Sequence, residues 1–253
     1  MNIKIISCLN DNYSYLIHDE ISNKVAIIDP SEFGPCDKII SSNYKKLDFI
    51  LNTHHHYDHI GGNKDLKKKY NSKIIGFEND NNRIPGIDIL VKDNEDFRIG
   101  NLELTILFIP GHTSGHIAFY LKKEKIIFTG DTLFSLGCGK VFEGTNKQMF
   151  ESLNRLKKLP IDTRIYCGHE YTYKNFKFCL KFNPNNSFLK KKGEIIESNL
   201  KKNKPTIPST IGDEILSNIF LKFDDPDVKK AINLENSSDL EIFTKLRDLK
   251  DNF

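Results

Sequence analysis

Four times in the first 170 residues a short apolar run ends in a turn that holds a histidine or an aspartate. This repetition restricts the architecture more than any other feature of the chain. Phe49-Ile50-Leu51 leads through Asn52-Thr53 into His54, His55, His56, Tyr57, Asp58 and His59, with Gly61 and Gly62 behind. Leu104–Ile109 leads into Pro110-Gly111-His112, Ile126-Ile127-Phe128 into Thr129-Gly130-Asp131, and Arg164-Ile165 through Cys167-Gly168 into His169. Strands presenting side chains along a sheet edge read this way, with the glycines letting each loop turn sharply. A lone histidine after a strand is more often structural; four sites of one form point to a shared purpose. Imidazole and carboxylate are donors that zinc accepts. His54, His56, Asp58 and His59 on one turn are too many for a single open catalytic ion and suit two.

Around these turns, short β-type runs alternate with helical ones. Strands are predicted at 3–6, 13–17, 25–28, 49–51, 73–75, 102–108, 117–121, 126–128 and 164–166, with a hairpin turn at Gly100-Asn101. Helices fit 37–45, 63–70 and 146–157. After His169 the pattern becomes helical, over 171–182, 187–202, 212–221, 227–232 and 239–248. The expected organisation is α/β over residues 1–170 and a small α-helical domain over 171–253.

A chain of 253 residues with 38% hydrophobic content has room for one large core and a smaller one. The net charge of +3 argues against a dedicated nucleic-acid binder. Residues 1–170 carry 22 basic and 22 acidic side chains, and residues 171–253 carry 15 and 12. The lysines between Lys174 and Lys204 read as a solvated helical face. Lys4, Asn10, Asp11 and Asn12 interrupt the first sixteen residues, so no signal peptide is expected, and no apolar stretch is long enough for a membrane span. Five cysteines without a CxxC pair suit a reducing cytoplasm rather than a disulfide framework. A monomer is expected.

The motifs THHHYDH, PGHTSGH, GDT and GHEYT, in this order, resemble those of the metallo-β-lactamase superfamily. Gly137-Cys138-Gly139-Lys140 with Val141-Phe142-Glu143-Gly144-Thr145, and the ending Arg247-Asp248-Leu249-Lys250-Asp251-Asn252-Phe253, resemble glyoxalase II, the hydroxyacylglutathione hydrolases. The resemblance runs from Asp11-Asn12-Tyr13 to Phe253. It implies a four-layer αββα metallo-β-lactamase sandwich followed by a small C-terminal α-helical domain.

It also implies a ligand set. His54, His56 and His112 would hold one divalent ion, Asp58, His59 and His169 a second, and Asp131 would bridge them. Zn²⁺ is the expected metal, and the same donors accept iron or manganese. Asp58 and Asp131 are the expected catalytic carboxylates, acting on a water made nucleophilic by the ions. Lys140, Phe142, Tyr171, Arg247 and Lys250 would bind a glutathione thioester. Arg247 and Lys250, at helical spacing i and i+3, share a face suited to a carboxylate. Phe142 stands where some members have tyrosine, which removes a hydrogen bond worth roughly 0.5–1.5 kcal/mol. Ile219 and Lys222 depart from the family's Asn-Pro-Phe-Leu-Arg segment. His55 and His116 lie outside the ligand set. The expected reaction is hydrolysis of S-(2-hydroxyacyl)glutathione. Its competitors are another superfamily hydrolase, a glutathione persulfide dioxygenase using one iron, and a non-enzymatic metal-binding scaffold.

Overall fold

Tight turns at residues 9–11 and 20–23 join three strands, β1 (Asn2–Cys8), β2 (Asn12–Asp19) and β3 (Lys24–Ile28), into an antiparallel meander. The computed structural model describes residues 1–253, and the chain divides into two compact units. The first holds Met1–Phe108 and Ser114–Gly130. After β3 the chain crosses through α1 (Phe33–Asn43) to β4 (Phe49–Leu51), which pairs parallel to β3. The single turn α2 (Tyr57–Ile60) and the helix α3 (Asn63–Tyr70) follow, then β5 (Lys73–Phe77) and β6 (Ile89–Val91), again parallel. Ile50, Leu51, Ile74 and Ile75 are all buried, which is why these strands read as continuous apolar runs rather than alternating ones. Cys36 and Ile40 of α1 and Leu66 of α3 close one face of this sheet over Val25, Ile27, Ile50 and Ile74.

A second, antiparallel run of strands follows: β7 (Asp96–Ile99), β8 (Leu102–Phe108), β9 (Ile117–Leu121) and β10 (Ile126–Gly130), each paired with the next. Tyr15 against Phe128, Phe49 against Phe97 and Phe77 against Phe108 pack the two sheets of this unit together. The turn at Gly100-Asn101, with Gly100 at φ +60, is fastened by buried Asp19, which accepts hydrogen bonds from Asn101 N at 2.8 Å, from Ile21 N and from the Ser22 hydroxyl. Burial alone would raise the Asp19 carboxyl. The converging donors outweigh it and hold the group well below the usual carboxylate range.

The second unit contains Ile109–Thr113 and Asp131–Phe253. A hairpin of β11 (Leu133–Phe134) and β12 (Gly137–Cys138) leads to α4 (Asn146–Lys157), which starts with a Thr145–Gln148 capping box. β13 (Arg164–Cys167) pairs with β14 (Ser209–Thr210), and between them run α5 (Thr172–Phe182) and α6 (Ser187–Lys201). Then come α7 (Ile211–Ser217), α8 (Pro226–Ala231) and α9 (Asp239–Asp251). Phe178, Phe220, Phe243, Leu153 and Leu246 are fully buried in this unit's core. Each contributes about 1.5–3 kcal/mol by leaving water. No helix is long and apolar enough to cross a membrane.

Most long elements stand near their expected bounds; the differences are local. α1 begins at Phe33 because Pro35, in the first turn, gives up a donor that has no helical partner there. The helix expected over 212–221 is instead α7 and a 3₁₀ turn at Ile219–Leu221, parted at Asn218, whose side chain caps Phe220 N. β6, β11, β12, β14 and α2 carry too few residues to show a period. The compact units also part differently from a division at 170: residues 131–170 group with the helices because β13 pairs with β14 and α4 packs on α9.

Candidate metal centre

In the first unit the loop after β4 is tied down by one carboxylate. Asp29, buried at the end of β3, accepts Thr53 N at 2.8 Å on Oδ1, and the Thr53 hydroxyl at 2.6 Å and His59 Nδ1 at 3.1 Å on Oδ2. Because the Thr53 hydroxyl donates to Asp29, it accepts from His54 Nδ1, 3.0 Å away. Both imidazoles therefore carry their proton on Nδ1 and keep the Nε2 lone pair for a cation. His54 Nε2 lies 3.2 Å from His56 Nδ1, an approach that suits two donors sharing an ion. α2 sets Asp58 and His59 on one turn, with His59 Nε2 3.5 Å from Asp58 Oδ2. Asn12 donates to Asp58 Oδ2 at 2.9 Å and to its backbone oxygen at 3.1 Å, so one carboxylate oxygen is fixed in place. Gly61 and Gly62 are required here: a Cβ on either would run into the carbonyls of Ser31 or Pro30.

In the second unit His112 donates from Nδ1 to the Lys140 carbonyl at 2.8 Å, which again leaves Nε2 as the lone-pair nitrogen. The loop carrying it is held by the Thr132 hydroxyl on Ile109 O and the Ser152 hydroxyl on Pro110 O. Asp131 Oδ2 lies 3.6 Å from His112 Nε2 and 3.2 Å from His169 Nε2. One oxygen between two imidazoles is the arrangement a shared carboxylate ligand needs. His169, at the end of β13, stacks on Tyr171 at 4.6 Å and 6°. Imidazoles in fixed tautomers beside carboxylates are a ligand set for divalent metal ions.

A pocket of about 320 Å³ in the second unit brings together four of the five expected substrate contacts, Lys140, Tyr171, Arg247 and Lys250, with Phe134, Lys174 and Asp251 also in its wall. Phe142 is not among them: it is 61% exposed, edge-on to His112 at 5.2 Å and 5.7 Å from Lys140 Nζ. Arg247 is buried, bound to Asp251 and to the carbonyls of Cys138 and Gly139. Burial pushes the Lys250 ammonium down to about 8, assisted by the nearby charges of Arg247 and Lys174.

Sequence reasoning missed Asp29, Asn12, Lys174 and Asp251. Asp29 had a signal, since Ile27-Ile28-Asp29 is another apolar strand running into a carboxylate, with Pro30 in place of the glycine. Its ligand-type atom lies near those of His54 and His59, but both oxygens are spent on Thr53 and His59, so it orients donors rather than binding metal itself. Asp29→Asn is expected to weaken metal binding by roughly 10–100-fold. Chelator competition measures this, and unchanged affinity removes Asp29 from that role.

The family model of the metallo-beta-lactamase superfamily matches residues 10–169, and that of the hydroxyacylglutathione hydrolase C-terminus matches residues 170–253. The chain belongs to the hydroxyacylglutathione hydrolases. Relatives of that name include one from Pelagibacter ubique, 53% identical with both chains covered in full, and one from Methylococcus capsulatus, 40% identical over all of this chain and 99% of its own. The fold of this hydrolase family is also that of solved structures more distant in sequence. The ETHE1 crystal structure from Myxococcus xanthus superposes with a TM-score of 0.70 at 23% identity, covering 98% of this chain and 91% of its own. The BLEG-1 B3 metallo-beta-lactamase gives 0.65 at 21% identity, covering 87% of this chain and 99% of its own. The metallo-β-lactamase fold with a helical C-terminal region is thereby established.

Proposed function

We propose that the protein hydrolyses S-(2-hydroxyacyl)glutathione, typically S-D-lactoylglutathione, to the 2-hydroxy acid and glutathione, the second step of methylglyoxal detoxification in the cytoplasm. The observation that carries the reading is the family match along the whole chain, with the region after 170 matching the part specific to these hydrolases. Residues 1–170 would supply the chemistry and 171–253 most of the recognition.

His54, His56 and His112 would hold one ion and Asp58, His59 and His169 another, with Asp131 common to both. Two divalent ions, zinc by the chemistry of the donors, would polarise the thioester carbonyl and make water nucleophilic near neutral pH. The protein's own part is preorganisation. Asp29 and Thr53 fix the tautomers of His59 and His54, and Asn12 fixes one Asp58 oxygen, leaving the other to orient the attacking water. The leaving thiolate has a pKa near that of free cysteine, about 8.5, so it departs with little proton assistance and no general acid is required. Lys140, Lys250 and Tyr171 offer two cations and a hydroxyl to the two carboxylates and peptide groups of glutathione. Arg247 completes the wall of this site, and exposed Phe142, outside the lining but 5.7 Å from Lys140 Nζ, would reach the substrate from there.

Loss of thioester ultraviolet absorbance in the presence of the zinc-loaded protein tests the reading; no turnover of S-D-lactoylglutathione by metal-replete protein would overturn it. Recognition by Lys250 also predicts a pH dependence. Anion binding needs the ammonium, whose pKa is lowered to about 8, so KM should rise as pH climbs through that value. Lys250→Gln should start from a higher KM and show no such rise. A wild-type KM that is flat from pH 7 to above 9 would remove Lys250 from the substrate site.

A further inference from the structure

The segment between Asp131 and Lys140 is held by its backbone. Phe134 O and Gly137 O accept from Asn218 Nδ2, Ser135 O from Asn175 Nδ2, and Leu136 O from Cys179 Sγ. Cys138 O and Gly139 O accept from Arg247 Nη1 at 2.8 and 3.3 Å, and Lys140 O accepts from His112 Nδ1 at 2.8 Å. Every carbonyl from Phe134 to Lys140 therefore meets a side-chain donor, and six of these seven bonds come from α5, α9 and the 3₁₀ turn's cap. There is no slack at the far end. A Cβ on Gly139 would run into the Asp131 carbonyl and come within 3.2 Å of His112 Nδ1.

Arg247 commits most of its fork to this segment. Nη1 spans the two carbonyls, while Nε and Nη2 are braced on Asp251 Oδ1 at 3.2 and 2.9 Å. The residue is 5% exposed, and its guanidinium lies 5.1 Å from the Phe220 ring. A planar fork bound at several points is oriented rigidly, which a single ammonium cannot reproduce.

We propose that Arg247, braced by Asp251, is a positioning residue for His112: by clamping the Cys138 and Gly139 carbonyls it holds the Lys140 carbonyl on His112 Nδ1, and so aims His112 Nε2 at the metal. This rests on the reading of His112 as a metal ligand. It gives the C-terminal helix a part in metal binding as well as in substrate recognition.

The decisive variant is Arg247→Lys, which keeps the positive charge in the pocket but loses the fork. Zn²⁺ affinity, measured without substrate by competition with a chromophoric chelator, should fall about 10–100-fold, the range for losing an outer partner of a ligand. Long-range ¹H–¹⁵N spectra should show the His112 proton no longer confined to Nδ1. Asp251→Asn, at a more exposed position, should lower affinity in the same direction by about tenfold, and it alone decides the matter if Arg247→Lys does not fold. Lys250→Gln should raise KM while leaving Zn²⁺ affinity unchanged. Unchanged Zn²⁺ affinity in the folded Arg247 or Asp251 variant overturns the proposal, even where KM rises, and assigns Arg247 to the substrate wall alone. Absence of thioester turnover by the wild-type protein, with the affinity losses present, would sink the proposed reaction and leave this inference standing.

Discussion

Asp131→Ala is expected to strip the protein of metal and of thioester hydrolysis together. The Asp131 oxygen lies within 3.2 and 3.6 Å of two imidazole lone pairs, and its carboxylate supplies the negative charge that a pair of dications would share. Losing an outer partner of a ligand already costs roughly 10–100-fold in metal affinity; losing the carboxylate proposed to be common to both ions should exceed that range. Asp131→Asn preserves the shape but not the charge, so it should retain fold and lose most of the metal. Metal analysis after dialysis and the absorbance assay, run on the same samples, provide the check. An active Asp131→Ala protein with full metal content would end the mechanism.

Glu214→Ala should be among the most destabilising single substitutions in the second unit. Glu214 is fully buried, with Oε1 2.6 Å from Lys192 Nζ and Oε2 accepting from Leu136 N at 2.6 Å and Asn218 Nδ2 at 3.0 Å. Lys192 is itself mostly enclosed, its side chain 12% exposed. Removing one partner of such a pair strands the other charge, at a cost of about 3–5 kcal/mol. Leu136, at φ +60, would also lose the acceptor for its buried N–H. Urea unfolding measures the loss. The double variant Glu214→Met with Lys192→Met should recover part of it, because a matched apolar pair strands no ion. A single-variant loss below about 1 kcal/mol, the scale of an exposed ion pair, would show that water reaches Lys192.

The seven residues proposed as metal ligands were legible because each follows a strand end, and strand ends announce themselves through apolar runs followed by a tight turn. The pocket residues were legible only through family resemblance. The i, i+3 spacing of Arg247 and Lys250 predicted a shared face, and both do line one pocket. Spacing could not reveal that Arg247 spends its donors on carbonyls 108 and 109 residues earlier in the chain. Glu214 and Asn218 lie in the segment 212–221 expected as one helix, and nothing in that expectation marked their side chains as buried. They are buried because the hairpin at 133–138 needs acceptors and donors that its own short ladder does not supply.

The sequence by itself determined the donor types, the order of the strands that carry them and the family. These are properties of local pattern: residue chemistry, the period of burial, and glycines where the backbone must turn. Only the tertiary structure decided which nitrogen of His54, His59 and His112 keeps its lone pair. A tautomer is chosen by the partner of the opposite ring nitrogen, and those partners, Thr53 with Asp29 behind it and the Lys140 carbonyl, reach the imidazoles through folding rather than through motif.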